Sequence, residues 1–160
     1  MTVVAAIVTP SESFIGSDSL AAIGELCAPS SSPKIAKFGT MLAGFAGSWR
    51  AGQQFFDYCS MLSHPTLKQA LEFETTETDW NLLVVENGRI FEVASDRSVI
   101  EATTDEGYSY GAIGTGAPVA LGALGFNYTF DRSDLLRALE VAGLHTTNVG
   151  GPYRIIGQRD

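Results

Sequence analysis

The chain has 160 residues, 45% apolar and 18% charged, with a formal net charge of −8. This length can bury a sizeable core as a single domain over residues 1–160, and the composition reads as soluble, globular and ordered. The acidic balance excludes a non-specific nucleic-acid binder, which needs a basic face, and no apolar run reaches the ~20 residues of a membrane-spanning helix.

In chain order, Val3 to Val8 is a β-branched apolar run ended by the turn signal Thr9-Pro10-Ser11. Short strand candidates follow at Phe14 to Ser17 and Ala21 to Cys27. A Pro-Ser loop spans Pro29 to Pro33, with Lys34 directly after it, and Met41 to Ala46 resumes strand character before Gly47. From Ser48, a candidate N-cap, the period becomes helical through Ala51, Phe55, Tyr58 or Cys59, and Leu62, with Pro65 beyond the end. A shorter helix is expected over Thr66 to Phe73, then an acidic loop from Glu74 to Asp79.

Trp80 to Glu86 and Arg89 to Ala94 flank Asn87-Gly88, the strongest short-range hairpin signal. Val99 to Ala102 and Tyr110 to Ile113 are further strand candidates. Gly114-Thr115-Gly116-Ala117-Pro118 opens a helix to about Leu124, Asp131 begins another to about Leu144, and Tyr153 to Ile156 closes as a strand. Segregated blocks of strands and helices predict an α+β fold, a four-layer αββα sandwich of two antiparallel sheets with outer helices.

Cys27 and Cys59 show no CxxC spacing, so free buried thiols in a reducing compartment are expected and no metal or cofactor site is implied. The apolar opening lacks the basic region and length of a secretory signal, which points to a cytoplasmic chain. His64 and His145 have no spaced ligand partners and read as surface residues. Trp49, Phe55, Phe56 and Trp80 read as core or subunit contacts. Gly114 to Gly116 lacks the Lys-Ser/Thr ending of a phosphate loop.

Three polar residues stand beside apolar strands: Thr2, Asp18 and Lys34. Singly they read as a strand-opening threonine, a turn aspartate and a solvated lysine. A small residue after the initiator methionine permits that methionine's removal, which leaves a hydroxyl and a free α-amine on Thr2. A threonine hydroxyl needs a base, and an α-amine with a reference pKa of about 7.7–8.0 can be one. A neighbouring ammonium favours the neutral amine; Lys34 can supply it, with Asp18 holding the lysine.

Asp18 lies 16 residues after Thr2, and Lys34 lies 16 after Asp18. Four separated segments go with that spacing: Thr2-Val3-Val4, Ile15-Gly16-Ser17-Asp18-Ser19, Pro33-Lys34-Ile35 and Ala43-Gly44-Phe45-Ala46-Gly47-Ser48. With Gly114-Thr115-Gly116 before a helix, the chain resembles proteasome β-subunits and the bacterial two-component heat-shock peptidase, which are Ntn hydrolases.

The resemblance implies a threonine endopeptidase with Thr2 as nucleophile and base, Lys34 tuning the electrostatics and Asp18 orienting Lys34. It also implies that the Gly47 N–H faces the oxyanion and that Thr115 serves the nucleophile's amine. Side-chain pocket residues would be Phe45, Ala21 and Cys27. It further implies a homo-oligomeric ring, unfolded protein or peptide substrates, an AAA+ unfoldase partner, and no nucleic-acid or membrane partner. One segment departs: Thr146-Thr147-Asn148-Val149-Gly150-Gly151 stands where the family carries an acid and a serine. A catalytically inactive scaffold or assembly subunit is therefore the alternative, and a small-molecule amidase a third reading.

Overall fold

The computed structural model describes residues 2–23, 26–102, 107–126 and 129–160, without the side chains of Ile23 and Cys27. The expectations for Met1 and for the Cys27 side chain lie outside that description. One sheet contains β1 (Val4–Val8) and β2 (Ser13–Ser17), with β10 (Ser109–Ile113) and β11 (Arg154–Gly157), in the order β10-β1-β2-β11. The other contains β5 (Ile35–Phe38), β6 (Met41–Gly47), β7 (Trp80–Glu86), β8 (Arg89–Ala94) and β9 (Val99–Ala102) in sequence order. The pairs within both sheets are antiparallel.

Three apolar layers hold the stack. Val3, Ala5 and Ile7 face helices α3 (Ala117–Leu124) and α4 (Arg132–His145), meeting Leu135 and Leu139. Val4, Ala6 and Val8 point the other way and meet Leu42, Leu83 and Ile90 between the sheets. Met41, Ala43 and Phe45 face α1 (Trp49–Met61), and Phe73 after α2 (Leu67–Ala70) joins them. The result is the expected αββα sandwich. It explains why β1 reads as an unbroken apolar run: covered on both faces, it has no solvent side on which polar residues would alternate.

Local signals set the helix ends. Ser48 caps α1 through Ala51 N–H at 3.3 Å, and Asp131 with Asp134 forms a capping box on α4. The expected run Ala21 to Cys27 is instead a hairpin of β3 (Leu20–Ile23) and β4 (Leu26–Pro29), a two-stranded sheet of its own. Strand β5 occupies a stretch with no sequence assignment. Cys59 is wholly buried, and His64 and His145 are exposed, as expected.

Candidate active site

Thr2 leads into β1, a central strand, at one open end of the space between the sheets. Its carbonyl accepts the Gly116 N–H at 3.2 Å, and its N–H donates to Thr115 Oγ1 at 3.3 Å. The turn before α3 can approach this closely because Gly114 has φ +90°, and a Cβ there would lie 2.3 Å from the Thr2 carbonyl oxygen.

Asp18 follows β2 and is stitched to β1 in both directions. Its N–H donates to the Val3 carbonyl at 3.2 Å, while its Oδ1 accepts the Val3 N–H at 3.0 Å. Lys34 precedes β5, on the opposite sheet, and reaches across the stack. Its Nζ donates to Thr2 Oγ1 at 2.7 Å, Asp18 Oδ1 at 2.8 Å and the Leu20 carbonyl at 2.6 Å. Three acceptors match the three protons of an ammonium. Thr2, Asp18 and Lys34 are 5%, 1% and 2% exposed, so the cluster is almost sealed from solvent.

Burial lowers the Lys34 pKa from its ordinary 10.5, and the hydrogen bond and charge of Asp18 push back against that shift. The Tyr153 hydroxyl is raised, chiefly by burial and then by the Asp18 charge. Asp18 Oδ2 is buried with no hydrogen-bond partner among the described residues. Because Lys34 donates to Thr2 Oγ1, the threonine's own proton is free to go to another acceptor.

Thr2 opens onto a cleft of about 440 Å³, shared with Gly47, Thr115, Asn81, Glu92 and Pro118. Gly47 ends β6 with φ +92°, where a Cβ would lie 2.4 Å from the Asp79 carbonyl oxygen. Only glycine fits that corner, and it brings the strand end and the start of α1 beside Thr2. Thus Thr2, Asp18, Lys34 and Thr115 share direct hydrogen bonds, and Gly47 lines the same cleft.

Two residues expected in a side-chain pocket stand elsewhere. Phe45 is 2% exposed and faces α1, with ring centroids 5.3 Å from Trp49 and 5.4 Å from Phe56. Strand alternation sends it to the helix side, and Gly52 makes room for its ring. Ala21 lines a separate surface depression with Leu26, Ala28 and Pro29. Asn81 and Glu92 were missed by sequence reasoning. Their signal is polar occupation of strand positions two residues from Leu83 and Ile90, on the face toward the other sheet.

The segment after α4 is anchored beside the cluster, with the Ser19 N–H donating to the Gly150 carbonyl at 3.3 Å. Neither acid nor serine is present in Thr146 to Gly151, as the sequence indicates. Among the described residues no group of His, Cys, Asp and Glu is arranged to hold a metal, and no helix is long and apolar enough to cross a membrane.

No family model matches the chain, and no curated protein matches it in sequence. Solved structures do match. BPH from Thiobacillus denitrificans, solved in complex with epoxomicin, superposes with TM-score 0.76 at 21% identity, covering 96% of this chain and 97% of its own. Eukaryotic HslV from Trypanosoma brucei gives TM-score 0.76 at 18% identity, covering 98% of each chain. A chain of the helical Anbu assembly from Pseudomonas aeruginosa gives TM-score 0.75 at 16% identity, with 98% of this chain and 80% of that one covered. This chain has the fold of those proteins, so the resemblance seen in its motifs holds at the level of architecture.

Proposed function

We propose that the chain is a threonine endopeptidase subunit of a self-compartmentalising, proteasome-like protease, with Thr2 as nucleophile once Met1 is removed. The observation that carries this reading is the buried Lys34 ammonium, 2.7 Å from Thr2 Oγ1 and 2.8 Å from Asp18 Oδ1, with Thr2 itself lining a cleft. A sealed lysine is costly unless its charge is used, and here it bears on the one hydroxyl it touches.

In the reaction, Thr2 Oγ attacks the peptide carbonyl carbon while its proton passes to the α-amine of the same residue. The Lys34 cation lowers that amine's pKa and stabilises charge on the departing proton's oxygen. The tetrahedral oxyanion is received by the Gly47 N–H. The protonated amine then gives its proton to the leaving nitrogen, the C–N bond breaks, and an ester to Thr2 remains. Water attacks the ester, its proton passing to the amine, and Thr2 Oγ departs and is reprotonated. Thr115 holds the amine through its hydroxyl.

A homo-oligomeric ring in the cytoplasm, fed unfolded chains by an AAA+ unfoldase, completes the reading. Self-assembly is supported by the fold, which a chain of the helical Anbu assembly also carries, and closure into a ring is part of the proposal. Intact mass of protein expressed in cells should lack Met1, and a peptide epoxyketone should add once per chain. Thr2→Ala should abolish the adduct. Retained Met1 together with no adduct refutes the nucleophile. If such protein still forms rings, the inactive scaffold stands instead, the reading favoured by the missing acid and serine near Val149.

A further inference from the structure

The inter-sheet layer changes character where it reaches Thr2. Along β7 and β8, Leu83, Val85 and Ile90 face the opposite sheet and are buried. Alternation sets Asn81 and Glu92 on that same face, with Glu92 in register opposite Leu83 and Asn81 beside Ala46. Both are half-buried and line the cleft that Thr2 opens onto. Among the described residues the Glu92 carboxylate has no hydrogen bond and no ion pair.

A leucine at this position would extend the core, whereas Glu92, half-buried, keeps a carboxylate facing the cleft with no protein partner among the described residues. The cleft wall is mixed: Ala46, Ile113, Ala117 and Pro118 give it apolar surface beside the Thr2 and Thr115 hydroxyl side chains, and Asp79 stands exposed at the rim. Apolar surface from Ala117 and Pro118 beside two carboxylates suits a side chain with a methylene stem and a cationic head. The whole chain, at −8, also attracts cations into such a recess.

We infer that the Thr2 cleft is a subsite for a basic residue, with Glu92 as the group that selects a lysine or arginine beside the bond Thr2 attacks. This inference rests on Thr2 being the nucleophile, and the test separates the two. No other cation among the described residues neutralises Glu92, so its charge is available to substrate. Asn81 adds an amide oxygen that can accept from the same head group.

The experiment uses fluorogenic peptides with lysine, arginine, norleucine or glutamate at each position flanking one scissile bond. Norleucine keeps the lysine stem without its charge. Intact protein should cleave the basic peptides at one flanking position about 10-fold faster in kcat/KM than the norleucine peptide, a ratio that shrinks with salt. Glu92→Gln should bring the ratio to about 2, and Asn81→Asp should raise it. An unchanged ratio in both variants overturns the inference while the nucleophile stands.

A parallel measurement needs no turnover: anisotropy of labelled lysine and norleucine peptides on Thr2→Ala protein. Tighter binding of the lysine peptide, lost in Thr2→Ala/Glu92→Gln, supports the subsite even if nothing is cleaved, in which case the nucleophile is refuted. Equal binding of the two peptides overturns the subsite.

Discussion

Replacing Asp18 with asparagine keeps its size and one acceptor for the Val3 N–H but removes the charge that faces Lys34. The ammonium would then be stranded at 2% exposure with only neutral oxygens around it. Breaking a buried pair by deleting one partner costs about 3–5 kcal/mol, because the surviving charge stays desolvated. At this chain length that is a fall in Tm of roughly 6–20 °C. Lys34→Met alone should cost a similar amount by stranding Asp18. The double variant leaves no charge in this cluster and keeps the bond to Val3, so it should be more stable than either single variant.

The dependence on pH follows from the direction of the Lys34 shift. Its folded pKa is below 10.5, so the unfolded chain binds more protons between the lowered value and 10.5. Stability contributed by this group therefore rises with pH through that window, and the cost of the buried cation is fully present below it. Asp18→Asn removes the two effects that hold the pKa up, so its penalty should begin to shrink at lower pH than in the parent. Urea unfolding of all four proteins from pH 6 to 10 measures this. A double variant whose loss equals the sum of the singles at every pH would refute the paired-charge account.

Two further outcomes test the frame around the site. Gly114→Ala places a methyl where φ is +90° and the Thr2 carbonyl oxygen is 2.3 Å away, whereas Gly122 in α3 has nothing within 4 Å. The first should cost at least about 2 kcal/mol and abolish epoxyketone labelling, and Gly122→Ala should gain about 0.5–1 kcal/mol in thermal unfolding. In a Cys27→Ser background, Cys59 should stay unmodified by a disulfide reagent at pH 8 until the protein is denatured. Burial pushes its thiol up to about 12, leaving roughly one thiolate in ten thousand; rapid reaction of folded protein would contradict the packing of α1.

The cluster was legible because its members are fixed in spacing along strands whose apolar content is plain. Thr2, Asp18 and Lys34 each interrupt or flank such a strand, and three-dimensional closeness followed from the resemblance. The third acceptor for Lys34 was not legible, since the Leu20 carbonyl is backbone and any residue type supplies it. Phe45 was misplaced for a reason inherent to β6. Leu42, Ala43, Phe45 and Ala46 are all apolar and all buried, so the sequence does not say which face meets the helices and which the other sheet. Glu92 carried the opposite kind of signal, a charge at an inward position of β8, readable only once the facing layer is known. β3 and β4 read as one run because the Gly24-Glu25 pair between them is not the Asn-Gly mark that separates β7 from β8.

The contacts that assemble the site have a consequence for when it can exist. Thr2 and its neighbour Val3 are held by groups 15, 32 and 113 residues along the chain, and none of these contacts is local. Long loops must close before any of them forms, and such pairings are the slow part of folding. A chain still emerging from the ribosome therefore carries its threonine as an ordinary residue. The hydroxyl meets its lysine only when both sheets have closed, and it meets Thr115 only after residue 115 has been made. On the proposed mechanism, the topology would act as a safety catch, keeping Thr2 an ordinary residue until the sheets that surround it have closed.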